Sequence, residues 1–205
     1  ALPAFIELIM SSNEDLSRQA IWALGNIAAD SIQCRDVVIS AGAVTALIQF
    51  GQSFTAQTRV STVRTFAGTL SNMCRGKPPP RFELVRSALP LLAGLLAYSD
   101  MKTVSDCCWA ISCLSEGGKE QVQAVLNTGC AVHLVELLDS PPAILIPCLR
   151  TVGNIVTGED HQVQMLIDAG VLFALSKLLD HPKTKMAQEA CWAISNIAAC
   201  TAKQI

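Results

Sequence analysis

The feature that most constrains this chain is a frame that returns five times at nearly equal intervals. It is plainest in "QAIWALGNIAAD" (19–30) and "EACWAISNIAAC" (189–200), each with a tryptophan one helical turn before an asparagine. Between them the frame runs through "FAGTLSN", "CCWAISC" and "CLRTVGN". Trp22, Gly68, Trp109, Arg150 and Trp192 share one position, at steps of 46, 41, 41 and 42 residues. Asn26, Asn72, Cys113, Asn154 and Asn196 share the position four residues on. A second marker keeps the same beat: Gly42, Ser87, Gly129 and Gly170 follow at steps of 45, 42 and 41. Both series open on a long step, so an insertion belongs to the second unit. "RGKPPPR" (75–81) is the place for it, because three consecutive prolines cannot continue a helix.

Each unit reads as three helices: a short one (32–40 in the second unit), another after a turn (43–51), and a long third (56–74). Helical units of about 40–47 residues mark armadillo or HEAT arrays, where no unit buries its apolar face alone and neighbours share one core. The expectation is an all-α solenoid of about five repeats, near 1–31, 32–78, 79–118, 119–159 and 160–205, forming a single array. The sequence opens on "ALPAF" and closes on "TAKQI", both in mid-pattern, which predicts truncation at both ends. Composition agrees with helices: 51% of residues are apolar but only 5% aromatic. The net charge of −2 offers no global basic field for nucleic acid. The longest apolar run, "LPLLAGLLA" (89–97), falls far short of the roughly 20 residues a membrane span needs. Nine cysteines without a C-x-x-C lie mostly in helical apolar patterns and read as small buried hydrophobes in a reducing compartment.

Helix geometry tests where the tryptophans point. At about 100° per residue, with Trp22 at zero, Asn26 falls near 40°, Gln19 near 60° and Asp30 near 80°. The aliphatic Ala20, Ile21, Leu24, Ile27 and Ala28 fall between about 140° and 260°. In the last copy Glu189, Trp192, Asn196 and Cys200 share one arc, with Ala190, Ile194, Ile197 and Ala198 behind it. The tryptophans therefore stand opposite the core, and stacked third helices would line a groove with alternating indole and carboxamide. A carboxamide matches a peptide unit's C=O and N–H. Indole faces form slots for the methylene stems of Lys or Arg, with cation–π attraction at the charged end. Acids expected at the rim (Asp30, Asp106, Glu116, Glu159, Asp160 and Glu189) would pair those cations. Every element favours an extended basic peptide.

These residues resemble the armadillo domain of the importin-α (karyopherin-α) family. "WALGNIAAD", "TLSNMCRGKPPP", "CWAISCLSEG", "LRTVGNIVTGED" and "DAGVLFALSKLL" carry the resemblance over essentially all 205 residues. It implies a right-handed superhelix that binds Lys/Arg-rich nuclear localisation signals antiparallel along a concave face. It also implies nuclear import, shuttling between cytoplasm and nucleus, and importin-β as a partner through an N-terminal segment not contained in this sequence. Gln19, Trp22, Asn26, Asp30, Asn72, Asp106 and Trp109 then match the major-site side, with Asp30 placed to pair the signal's key lysine. Arg150, Asn154, Glu189, Trp192 and Asn196 match the minor-site side, with Arg150 expected to bridge to Glu189. The sequence departs from the family at Gly68, which stands for tryptophan, Thr65 for an amide, Cys113 for tyrosine and Lys102 for an acid. The middle of the groove should therefore be less acidic, and binding of single-cluster signals weaker.

Other patterns carry less. "GEDH" (158–161) reads as a solvated turn, His133 with Glu136 makes no zinc set, and Cys107–Cys108 reads as a packing pair. No nucleophile elbow, Walker loop or Cys/His constellation is present, so neither an enzyme nor a metal or other cofactor is expected. The alternative reading is a catenin-like armadillo scaffold for adhesion or signalling partners, whose grooves tend to be basic.

Overall fold

Every regular element among the described residues, 1–199 of the computed structural model, is helical. The chain divides into two compact units, residues 1–113 and 114–205. In the first, α1 (Leu2–Ile9) and α2 (Glu14–Asp30) precede a set formed by α3 (Ile32–Ser40), α4 (Ala43–Gln52) and α5 (Val60–Cys74). The next set is α6 (Phe82–Val85), α7 (Leu89–Gly94) and α8 (Met101–Leu114), with 3-10 turns at Arg86–Ala88 and Leu95–Ala97. The second unit holds α9 (Lys119–Leu126), α10 (Ala131–Glu136) and α11 (Pro142–Val156), then α12 (Asp160–Asp168), α13 (Val171–Leu178) and α14 (Thr184–Ala198). Short, short, long is the recurring order, as the sequence period predicts. No single helix among the described residues is long and apolar enough to cross a membrane.

Local chemistry sets the boundaries. Asn13 caps α2 by accepting from the amides of Asp15 and Leu16, and Ser31 caps α3 by accepting from Cys34. Gly42, Gly129 and Gly170 all take positive φ between their short helices, where a side chain would be strained. Ser87 cannot do this cheaply, and the corresponding turn in the third set is a right-handed 3-10 turn instead. The third helix of the second set begins at Val60 and not at 56, because Thr55 and Thr58 close a turn: the Thr55 amide donates to Thr58 Oγ1 at 2.9 Å. "GEDH" proves to be a helix start. Glu159 and Gln162 form a reciprocal capping box at the head of α12.

The cores are aliphatic. Ile21, Leu24, Val38, Leu47, Phe66, Leu70, Leu92 and Ile111 are completely buried in the first unit, and Leu134, Val152, Leu166 and Leu175 in the second. Close approach of α2 and α5 depends on Gly25, where a Cβ would collide with Thr69. The Thr69 hydroxyl uses that proximity to donate to the Ile21 carbonyl at 3.0 Å. At the heads of the same two helices, the Glu14 carboxylate accepts from the Arg59 amide and the Thr62 hydroxyl, at 3.1 and 2.7 Å. These bonds and the neighbouring Arg59 hold the Glu14 pKa below its ordinary value, against the cost of desolvation.

The proline stretch loops out as expected, with Lys77–Pro78 in cis. Its anchor is Arg35, buried to 1% exposure, whose Nη1 donates to the carbonyls of Arg75 and Pro78, both at 2.9 Å. Asp36 accepts from the other edge of the guanidinium, at 2.9 and 2.7 Å. Eight cysteines are free thiols, and Cys107 and Cys108 are both fully buried, consistent with packing. Burial pushes the Cys74 and Cys107 thiols well above the usual range, so they are inert nucleophiles. Cys200 lies outside the described residues.

Candidate functional site

In the first unit the stripe begins on α2. Trp22 is 57% exposed while Ala20, Ile21, Leu24 and Ala28 on the opposite face are buried. Gln19, Asn26 and Asp30 are exposed beside it. Ile27, expected in the core, is only half-buried at the edge of the apolar arc. On α5, Asn72 is half-buried, and its Nδ2 donates to the Gly25 carbonyl of α2 at 3.0 Å. That bond sets the carboxamide at the seam between two third helices. Gly68 lies one turn earlier, half-buried, and a Cβ there would meet Asp106 Oδ2 of α8 at 3.4 Å. Trp109, one turn further along α8, is half-buried, as is Cys113.

The second unit carries a stripe of its own, on α11 and α14. Trp192 is 47% exposed, with Ala190, Ala193 and Ile197 buried behind it. Ile194 is half-buried and Ala198 exposed, so the apolar arc of α14 is narrower than predicted. The Trp192 ring lies over α11, where a Cβ on Gly153 would stand 3.2 Å from Cζ3. Asn154 is half-buried and donates from Nδ2 to Ser115 Oγ at 2.9 Å, repeating the seam bond made by Asn72. Asn196 is half-buried and donates to the Trp192 carbonyl at 2.8 Å, while Glu189 is exposed. At the position held by Gln19, Asp106 and Glu189 on other third helices, α11 carries buried Pro147 and offers no polar group.

One expected contact is different. Arg150 does not bridge to Glu189; its Nη2 donates to Glu116 Oε2 at 2.6 Å. Arg150 lies near the middle of α11, and its side chain reaches the turn that follows α8. The chain also satisfies much of its own rim. Lys102 Nζ donates to Asp106 Oδ1 at 2.5 Å, and Lys119 Nζ to Glu159 Oε1 at 2.9 Å. Lys119 is the chief cause of the lowered Glu159 pKa. Of the six expected rim acids, Asp106, Glu116 and Glu159 are thus paired internally. Asp30 is exposed and accepts only a weak bond from Cys34 Sγ at 3.6 Å. A cleft of about 110 Å³ opens between Ser115, Glu116, Lys119, Asn154 and Thr157 at this rim. Sequence reasoning missed Ser115 as an anchor and the Arg64–Asp100 pair, in which Nε and Nη2 donate at 3.1 and 2.6 Å. The i,i+4 spacing of Lys102 and Asp106 was the one legible signal for internal pairing. Among the described residues, no group of His, Cys, Asp and Glu is arranged to hold a metal ion.

Fold and stripe together define an armadillo-repeat protein. The model of the armadillo/beta-catenin-like repeat family matches residues 1–29 and 159–199. A designed armadillo repeat protein superposes with a TM-score of 0.86 at 25% identity, covering 100% of this chain and 85% of the other. Another, solved in complex with the peptide (KR)4, gives 0.85 at 26% identity over 99% of this chain and 84% of its own.

Within that class, the chain is similar over its whole length to importin-α subunits. It is 48% identical over 207 aligned residues to importin subunit alpha-1a of Oryza sativa subsp. japonica, covering 100% of this chain and 39% of that protein. Importin subunit alpha-1b of the same organism is 47% identical over 94% of the chain and 36% of its own length. Importin subunit alpha-3 of Arabidopsis thaliana is 48% identical over 78% of the chain and 30% of its own. The chain thus spans under two fifths of the length of these relatives.

Proposed function

We propose that this chain is part of a nuclear import adaptor that holds Lys/Arg-rich localisation signals in extended form along its third helices. The observation that carries the reading is the outward indole-and-carboxamide stripe: Trp22 and Trp192 stand exposed although each sits on a helix with a buried apolar face behind it. An isolated globular helix gains by burying an indole, so two exposed at equivalent positions point to a ligand. Gln19, Trp22, Asn26, Asp30, Asn72, Asp106 and Trp109 serve the major-site side, and Arg150, Asn154, Glu189, Trp192 and Asn196 the minor-site side. The asparagines bind the peptide backbone, the indoles flank its aliphatic stems, and Asp30 and Glu189 pair its cations. The likeness to importin-α subunits and to an armadillo protein bound to (KR)4 supports the same chemistry. The role is binding and not catalysis, and it carries the protein between cytoplasm and nucleus with its cargo.

A catenin-like scaffold would take acidic, apolar tails in a basic groove. Exposed Asp30 and Glu189 favour the basic ligand. Titration calorimetry of one Lys/Arg-rich and one acidic peptide, each at two salt concentrations, separates the two. The adaptor reading expects binding of the basic peptide alone, weakening with salt; binding of the acidic peptide alone overturns it.

A further inference from the structure

Gly68 removes an indole from the middle of the major-site side, and Asp106 occupies the space that is freed. Its Oδ2 lies 3.4 Å from where a Gly68 Cβ would stand, and its side chain is only 12% exposed. The same carboxylate accepts from Lys102 Nζ at 2.5 Å, and that lysine is 61% exposed. Arg64 is the other cation within electrostatic reach, but its guanidinium is committed to Asp100 through two hydrogen bonds. Asp100 is in turn fixed by bonds from the amide and hydroxyl of Thr103 at the head of α8, at 2.9 and 2.8 Å. Asp106 therefore has one mobile ammonium partner, supplied one helical turn away on the same helix.

We infer that Lys102 is an intramolecular competitor for the ligand cation at Asp106, and so a specificity-determining residue of this groove. A buried carboxylate with a hydrogen-bonded ammonium is already compensated, and a second cation at its other oxygen meets repulsion from the first. A ligand lysine or arginine beside Gly68 meets Oδ2, while Lys102 holds Oδ1 of the same carboxylate, so the two cations compete for one negative charge. Because Lys102 is largely exposed, its release costs little pairing energy, and the subsite is attenuated and not closed. The class of ligand that suits the groove as it stands has its basic residues at Asp30 and a neutral residue facing Asp106. This inference rests on the proposed peptide-binding role.

The test is calorimetric titration with (KR)4 on the wild-type chain, Lys102→Gln, Asp106→Asn and the double variant, each checked for its helical melt. Lys102→Gln is expected to bind roughly three- to fivefold more tightly, the upper scale of releasing one competing ion pair, with a steeper salt dependence. In the Asp106→Asn background the same substitution should give no comparable gain. An affinity for Lys102→Gln within twofold of wild type, or an equal gain without the Asp106 charge, overturns the inference while leaving the groove reading intact. Absence of (KR)4 binding by both wild type and Lys102→Gln overturns the groove reading itself, and this inference with it.

Discussion

At the scale of single residues, the asparagines divide into two kinds. Asn26 is exposed on α2, whereas Asn72 and Asn154 each donate across a seam to the preceding third helix or the turn that follows it. Asn26→Ala should therefore weaken a basic peptide by about 1–2 kcal/mol and leave the thermal midpoint unchanged. Asn72→Ala should also lower unfolding stability, by about 1 kcal/mol, because the hydrogen bond from α5 to the Gly25 carbonyl is lost. Denaturant unfolding beside calorimetry distinguishes them, and equal melting losses for both would contradict the division. Trp22→Ala should behave like Asn26→Ala, and Asp30→Lys should cost more binding than either by adding repulsion to a lost ion pair. Gly68→Trp restores an indole where its Cβ meets only Asp106 Oδ2, and should tighten a monopartite basic peptide. No change in that titration would count against the groove assignment.

At the scale of elements, the repeat frame and the outward face were legible because both follow from helical period alone. The bounds of α3 match the expected 32–40, and the exposed indoles of α2 and α14 lie where the angular reading put them. What sequence reasoning could not place depends on register between helices. Arg150 chose Glu116 over Glu189, and nothing in the spacing of α11 tells which neighbouring element its long side chain will meet. The pairing of Glu159 with Lys119 has the same cause. So does the anchoring of the 75–81 loop, whose buried cation comes from Arg35, about 40 residues upstream. Arg35→Met should destabilise the fold by about 2–4 kcal/mol, since two inward carbonyls lose their donor, measurable by urea unfolding. The link between α5 and α8 is titratable. Hydrogen bonds from Arg64 first, then from Thr103, hold the Asp100 carboxyl well below its ordinary range. A depressed carboxylate contributes stability that is complete above its unfolded pKa and disappears as pH falls through its folded one. Asp100→Asn keeps an acceptor for Thr103 but loses the charge. It should therefore lower stability at neutral pH and flatten the loss between about pH 4 and pH 2.

At the scale of the whole molecule, the residues proposed for the major-site side fall in the first compact unit, and Glu116 and those proposed for the minor-site side in the second. On the proposed reading, a ligand with two basic clusters gains from tethering, which makes its second contact intramolecular. With one indole missing at Gly68 and Lys102 on Asp106, the first stripe should be weak by itself. A bipartite basic peptide is expected to exceed a monopartite one by at least tenfold, read as a ratio of dissociation constants at one salt concentration. A ratio near one would mean that the second stripe contributes nothing.

The seam bonds of Asn72 and Asn154 also bear on which positions are free to vary. At those positions exchanging the carboxamide would loosen the stack, whatever the proposed ligand tolerated. At the tryptophan positions the chain already holds glycine at 68 and arginine at 150, the latter with its own bond to Glu116. On the proposed reading, ligand preference varies more freely at the tryptophan positions, while Asn72 and Asn154 are held by the architecture they help to build.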